Sequence, residues 1–223
     1  MDKRVRRFYL IVVVVVMIWS LEEFNRVAEG LEGYAEPYNC GILECPSYEV
    51  IHSQEEFEIR RYRGAVWMST HPISSSSYKE ASDAGFNELF AYIGGDNQQG
   101  TIIPMTAPVL VHIVPSTGPS RKSFYTVQFY MPETYQKYSP PLSSQVHPER
   151  WPKNERYVAV RRFEGFMDDS NIAPQAAKLA ADLKGTEWEG GAAAAATSGY
   201  VVAGYSSPFE FLGRTNEVMF MFN

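Results

Sequence analysis

The chain contains 223 residues, 45% of them hydrophobic and 14% aromatic, which is enough to bury one sizeable core. Its formal net charge at pH 7 is −6; four basic side chains and one acidic side chain lie within the first seven residues, so the remainder is near −9. Because an acidic chain without a basic stripe is a poor nucleic-acid binder, we do not expect a nucleic-acid partner.

The N-terminus, residues 1–30, is predicted to be a signal peptide or a signal anchor. Basic residues precede an uninterrupted apolar run from Phe8 to Trp19, which is the layout of a secretory signal. The run is short for a membrane span, which needs about 20 residues. No clean A-x-A cleavage site follows, although Ala28 or Gly30 can serve. We therefore expect the secretory pathway, with an extracellular or vacuolar destination, and membrane anchoring through an uncleaved segment as the alternative.

Residues 31–46 are predicted to be a linker that carries the two cysteines of the chain, Cys40 and Cys45. If the chain is exported, an even cysteine count in an oxidising compartment favours a local disulfide. A metal site is not expected here, because the C-x4-C spacing has no partner cysteines or nearby histidines to complete four ligands.

A helix, a glycine turn and an apolar strand follow one another between residues 85 and 114. Apolar side chains recur at helical spacing and form one stripe: Phe86, Leu89, Phe90 and Ile93. A Gly-Gly pair then ends the helix. Farther on, Pro104 and Pro108 bracket Met105, and because proline cannot donate to a strand ladder, this segment should lie at an edge, a bulge or a pocket rim.

The order of predicted elements repeats along the chain. A strand, a helix and two strands are expected at about 64–71, 76–93, 101–114 and 123–131, and again at about 156–163, 170–184, 198–206 and 216–222. The Pro-rich segment between the two copies should connect them across the surface. Two βαββ units with only two long helices predict an α+β domain, residues 47–223, in which the helices cover a curved antiparallel sheet.

Five alanines at residues 192–196 are preceded by two glycines. We expect a flexible loop there, with one helical turn at most, because glycines on both sides interrupt the helical pattern.

Four motifs, in order, resemble those of the SOUL/heme-binding protein family of the plant type. FxxLFxYIGGxN followed by IPMTAPV is the most specific of them; the others are two opening strands at 48–50 and 57–62, a strand at 65–70, and the segments 204–209 and 214–218 near the C-terminus. The resemblance covers residues 46–223. It implies a pseudo-symmetric, distorted antiparallel β-barrel flanked by two helices, which binds heme or another tetrapyrrole non-covalently as a carrier, buffer or sensor.

The resemblance also suggests which residues contact such a ligand. Where some family members have an axial histidine, this chain has Arg61, which cannot coordinate iron in practice, so binding would rely on apolar packing. Positions that are basic in some members are Ala91 and Glu210 here, and Arg60, Arg61 or Arg63 would have to pair with the ligand's carboxylates instead. The expected ligand-binding residues are Phe86, Leu89, Phe90, Ile93, Met105 and Arg61.

The residues give little support to metal or catalytic chemistry. The histidines have no metal-ligand spacing, and His112, in an otherwise apolar strand, is the most notable of them. Glu58 and Glu217 lie in predicted strands beside Arg60 and Arg214, and such pairs are either structural or a hydrolytic acid and base. We therefore expect no catalytic residue and no metal ligand.

Two alternatives to ligand carriage stay open. One is a small-molecule hydrolase or porphyrin-modifying enzyme on the same scaffold. The other is a secreted interaction protein whose pocket has closed, with Phe86 and Phe90 filling it.

Overall fold

A computed structural model describes residues 35–62, 64–116, 122–151, 156–207 and 209–222. The predicted leader, residues 1–30, lies outside the described residues, so export stays a prediction. The described elements, in chain order, are β1 (Tyr48–Ser53), β2 (Glu58–Tyr62), β3 (Val66–Thr70), β4 (Ile73–Ser75), α1 (Tyr78–Ile93), β5 (Val109–Val114), β6 (Ser123–Tyr130), α2 (Glu133–Lys137), β7 (Val146–Arg150), β8 (Arg156–Glu164), α3 (Ile172–Asp182), α4 (Glu189–Ser198), β9 (Tyr200–Gly204) and β10 (Thr215–Phe222).

All the described strands belong to one antiparallel sheet, which curls into a half-barrel with the order β1-β2-β8-β10-β9-β5-β6-β3-β7, while β4 pairs with β6. The predicted duplication is confirmed. The first unit is β3-α1-β5-β6, the second is β8 with α3 and α4, then β9 and β10, and the two meet where β5 pairs with β9. The strands that precede the units are exchanged, since β2 pairs with β8 and β7 pairs with β3.

Alternation along the strands gives the sheet two different faces. The helix-covered face carries the larger apolar cluster, including Val111, Val127, Phe129, Val218 and Phe220. The opposite face, called here the inner face, carries a second cluster around Trp67, Leu110, Tyr130, Trp151 and Met219. The helices therefore lie outside the curl of the sheet.

The first long helix begins and ends as its sequence predicts. Ser77 is the N-cap and its hydroxyl accepts a hydrogen bond from the Glu80 backbone N–H. The backbone N–H of Gly94 donates to Phe90, and Gly95 follows with a φ of 109°, a conformation that favours glycine. Helix α1 packs mainly on β6, with further contacts to β3 and β4.

One expectation for an irregular segment was wrong, and a second was incomplete. Residues 189–198 form helix α4 rather than a loop: alanine has the highest helix propensity, and Ala192 and Ala195 are buried against the sheet. The Pro-rich connection contains α2 and the edge strand β7, which pairs with β3 and places Pro148 opposite Met68.

The strand expected at about 101–114 begins only at Val109, because residues 101–108, which include two prolines, form no strand. The cysteines are joined as expected, by a Cys40–Cys45 disulfide. Within the described part of the chain, no helix has both the length and the apolar character that crossing a bilayer requires.

Candidate ligand-binding surface

Two phenylalanines of helix α1 form an aromatic pair that extends from the core to the surface. The rings of Phe86 and Phe90 stack with their centroids 5.6 Å apart, and Phe86 also contacts Phe129 of β6 edge-on at 5.3 Å. Phe86 is half-buried, whereas Phe90 is 54% exposed. The helix therefore presents a flat apolar surface to solvent that is supported from below by the core.

The other two residues of the predicted stripe face the sheet. Leu89 and Ile93 are buried in the apolar cluster under α1. They hold the helix in place, and the ring of Phe90 is the part of the stripe that a ligand can reach without displacing the core.

The Met105 segment lies between α1 and β5. Met105 is partly buried and packs on the same cluster as Phe86. The segment is held on both sides, because Ile103 N–H donates to Ile93 and the Thr106 hydroxyl donates to Tyr130. The backbone N–H of Ala107 also donates to Glu44, beside the disulfide loop.

An exposed apolar loop that the sequence did not identify as part of the site lies between β9 and β10. Phe209, Phe211 and Leu212 are 86%, 73% and 87% exposed, and Phe211 contacts Phe166, which is 49% exposed, with their ring centroids 6.1 Å apart. Such side chains are seldom left to water in one place unless they bind something. Three large apolar residues within four positions, between two predicted strands, were the available signal.

The strand register connects this β9–β10 loop to the aromatic pair. The loop begins after Gly204, which pairs with Val109; Val109 in turn pairs with Phe129, the residue under Phe86. Met167 forms a second link to the helix, at its first turn, because its thioether accepts from the Tyr78 hydroxyl of α1 at 3.7 Å. We call two groups of apolar side chains that are joined through the sheet the α1–loop surface: Phe86 and Phe90 on α1, and Phe166, Phe209, Phe211 and Leu212 at the loop.

One buried cation lies under the loop. Arg214 is only 9% exposed, its guanidinium lies 4.3 Å from the centroid of the Phe166 ring, and its Nη1 donates to the carbonyl oxygens of Ser207 (2.8 Å) and Glu210 (2.6 Å). Burial raises the pKa of the Tyr78 hydroxyl, in the first turn of α1.

The arginines of β2 lie elsewhere. Arg61 forms an ion pair with Glu49 of β1, on a strand whose neighbours are β1 and β8, whereas α1 packs on β6, β4, β3 and β7. The structure thus does not bring Arg61 to the aromatic pair. Arg60 is fully buried and already bonded, so it too is not available to a ligand at this surface.

Arg60 is the centre of a polar network on the inner face. Its Nη1 and Nη2 donate to the two carboxylate oxygens of Glu217, each at 2.9 Å, and its Nε donates to Glu58 at 2.7 Å. Arg162 and the Tyr205 hydroxyl also donate to Glu217. Burial alone would raise the pKa of Glu217, but Arg60 and the other donors outweigh it and hold the pKa below its usual value.

This network corrects one expected pairing. Glu217 is bonded to Arg60, 157 positions away in sequence, rather than to Arg214, which begins the turn into β10 on the other side of the strand. The carboxylates of Glu58 and Glu217 are both fully buried and both bonded to Arg60, as in structural ion pairs.

A family model described as SOUL heme-binding protein matches residues 43–221. This chain belongs to the SOUL family. It is 37% identical to heme-binding protein 2 of Homo sapiens over 193 residues, which cover 83% of this chain and 89% of that protein. It is similarly 37% identical to heme-binding protein 2 of Mus musculus over 197 residues, covering 86% and 89%. Heme-binding protein 1 of Xenopus laevis is 29% identical over 167 residues, covering 75% and 84%.

The SOUL chain offers a candidate heme surface but no cluster of metal ligands among the described residues. No group of three or more His, Cys, Asp or Glu side chains in that part of the chain could hold a metal ion. His112 lies on the inner face, in a small cavity with Arg156 and Met221, away from α1. Partial burial lowers the pKa of His112. The flat aromatic pair and the unpaired Arg214 fit a planar ring that carries carboxylates.

Proposed function

We propose that this SOUL-family protein binds heme or a related tetrapyrrole non-covalently on the α1–loop surface, and acts as a carrier, buffer or sensor rather than as an enzyme. The stacked pair of Phe86 and Phe90 is the observation that carries the proposal, because it presents an aromatic plane to solvent directly above the core. Relatives named heme-binding proteins 1 and 2 support the ligand class.

Apolar contact supplies most of the expected affinity. A planar ring that covers Phe90 removes apolar surface from water, which stabilises the complex by roughly 25 cal/mol per Å2. The ordering of the loop and the desolvation of polar groups oppose this gain. Since Phe90 is already more than half exposed and held against Phe86, little reorganisation of the helix is required.

Iron coordination should contribute little. The position of the family's axial histidine is occupied by Arg61, which is ion-paired with Glu49. We therefore expect metal-free protoporphyrin IX to bind about as tightly as hemin.

Titration of the full chain with hemin and with protoporphyrin IX, followed by quenching of tryptophan fluorescence, tests this proposal. Phe90→Glu should weaken both ligands by about tenfold or more, because it replaces apolar contact with a charge that the ring would desolvate. Phe124→Glu is the matched control. Phe124 is 51% exposed but belongs to the inner face of β6, so both affinities should be unchanged. His112→Ala should also leave the affinities for hemin and for protoporphyrin IX unchanged.

Two results would contradict the proposal. If Phe90→Glu and Phe124→Glu lower the ligand affinity equally, the added negative charge causes the loss, and not a change in the α1–loop surface. Much tighter binding of hemin than of the metal-free ring, with a low-spin spectrum that disappears in His112→Ala, would place the ligand on the inner face.

A further inference from the structure

We infer that Arg214 is the residue that binds a carboxylate of the tetrapyrrole, and so sets which edge of the ring enters the site. This inference rests on the proposed function. It assigns a ligand-binding role to a side chain that the sequence suggested only as a partner of a strand glutamate.

Two nitrogens on one edge of the Arg214 guanidinium have no hydrogen-bond partner among the described residues. Nη1 donates to the carbonyl oxygens of Ser207 and Glu210, which ties the cation to the β9–β10 loop. Neither Nε nor Nη2 bonds to any described residue, and Nε is fully enclosed. The Nε and Nη2 hydrogens point along one side of the planar group, which is a geometry that binds both oxygens of a carboxylate.

The charge of Arg214 is also without a protein counter-ion. Among the described residues, no carboxylate lies within ion-pair distance of it, although it is 91% buried. A buried charge without a partner is unfavourable, whereas a buried arginine paired with a carboxylate through two hydrogen bonds is common. Arg60 illustrates the second case, with Glu217.

The location fits an amphipathic planar ligand. Arg214 lies against Phe166, whose exposed ring contacts Phe211 of the loop, so the cation is at the edge of the α1–loop surface. A tetrapyrrole with carboxylates on one edge could place its apolar face on the exposed rings of Phe166 and Phe211 and that edge toward Arg214. Because Nε is enclosed, the exposed apolar tip of the loop must shift as the carboxylate enters.

The test compares each ligand with its dimethyl ester, in which the ring is kept and both carboxylates are neutralised. In the full-length protein, the ester of protoporphyrin IX should bind about tenfold or more weakly than the free acid, since it loses the charge-assisted hydrogen bonds. Arg214→Gln should lower the affinity for the free acid by a similar factor and leave the ester unchanged. Arg214→Lys keeps the charge without the planar fork and should show an intermediate loss.

A neighbouring cation serves as the control. Lys79, in the first turn of α1, is exposed and already paired with Asp83, so Lys79→Gln should change neither affinity. If both Arg214 variants lose affinity equally for the acid and for the ester, Arg214 only supports the loop. If neither affinity changes, the carboxylates of the ligand point to solvent. Either result overturns the inference. If the wild-type chain binds neither acid nor ester, the proposed function itself fails, and the inference with it.

Discussion

Glu217 connects three strands through one carboxylate. It belongs to β10 and accepts hydrogen bonds from Arg60 on β2 and Arg162 on β8, so the network crosses the sheet where the second half of the molecule meets the opening strands. All the hydrogen bonds of Glu217 come from cations or a tyrosine hydroxyl, which keeps the carboxylate charged in spite of complete burial.

Glu217→Gln should therefore destabilise the fold strongly at neutral pH. Removal of one partner from a buried ion pair typically costs about 3–5 kcal/mol, since the remaining guanidinium is left without its counter-charge. Because the folded-state pKa of Glu217 is lowered, its contribution is present above the ordinary glutamate pKa of about 4.3 and is lost as the pH falls through the folded value. Urea unfolding of both proteins at several pH values should show the gap narrowing below about pH 4.

Glu133→Gln is the appropriate comparison, because Glu133 is exposed and pairs only with Lys137 on the same helix. It should change stability little at any pH. If Glu217→Gln proves as mild as Glu133→Gln at pH 7, the network is not the structural element described here.

The partners of these residues could not be predicted from the sequence. The sequence placed Glu58, Arg60 and Glu217 on strands, but the contact between Arg60 and Glu217, on two strands that both pair with β8, depends on the exchange of β2 into the second unit. The same limit applies to Arg61, which the family motif placed near the ligand and which the sheet order puts on a strand that α1 does not contact.

At the scale of single elements, helix α1 approaches the sheet closely at Gly85. A Cβ atom added there would lie 2.4 Å from Cγ2 and 2.8 Å from Cβ of Val127, so the helix would have to move away from β6. That approach also positions Phe86 over Phe129 one residue later.

Gly85→Ala should lower the free energy of unfolding by about 1–2 kcal/mol, because the overpacking penalty exceeds the roughly 1 kcal/mol that alanine gains in helix propensity. Gly190→Ala, in α4, makes the same chemical change where the added methyl group meets open space, and it should stabilise instead. Urea midpoints of the two variants should therefore shift in opposite directions. Shifts of the same sign would contradict the close packing of α1.

Periodicity predicted the long elements well and the short ones poorly. Helix α1 and strand β6 follow patterns that propensity and burial both favour, and their predicted limits agree with the structure within a few residues. In α4, local propensity and tertiary packing disagree. Glycine disfavours helix, but the absence of a side chain at Gly191 allows the helix to lie against Phe222, and this contact cannot be predicted from the local sequence. The β9–β10 loop carries no period at all, so its apolar residues had no predicted location.

The whole molecule is a duplicated unit whose halves cannot separate without breaking strand pairs. Strand β2 precedes the first unit but pairs with β8 of the second, while β7 precedes the second unit but pairs with β3 of the first. The β5–β9 pairing joins the centres of the two halves. Each half thus contributes one strand to the sheet of the other. Arg60 lies on β2, one of these exchanged strands, and bonds to Glu217 in the second half.

We therefore expect the domain to unfold as one cooperative unit, although chains of this size often unfold in stages. Trp67 and Trp151 contact each other on the inner face of the first half, with their ring centroids 4.8 Å apart. Trp188 contacts Tyr157 and Phe222 in the second half. In a Trp19→Phe/Trp188→Phe variant, fluorescence follows the first half alone, while far-UV circular dichroism follows both. The two urea curves should have the same midpoint, and Glu217→Gln should lower both midpoints equally, although Glu217 belongs to the second half. Separate midpoints, or a shift in the circular dichroism curve alone, would show that the halves are independent and that strand exchange does not couple them.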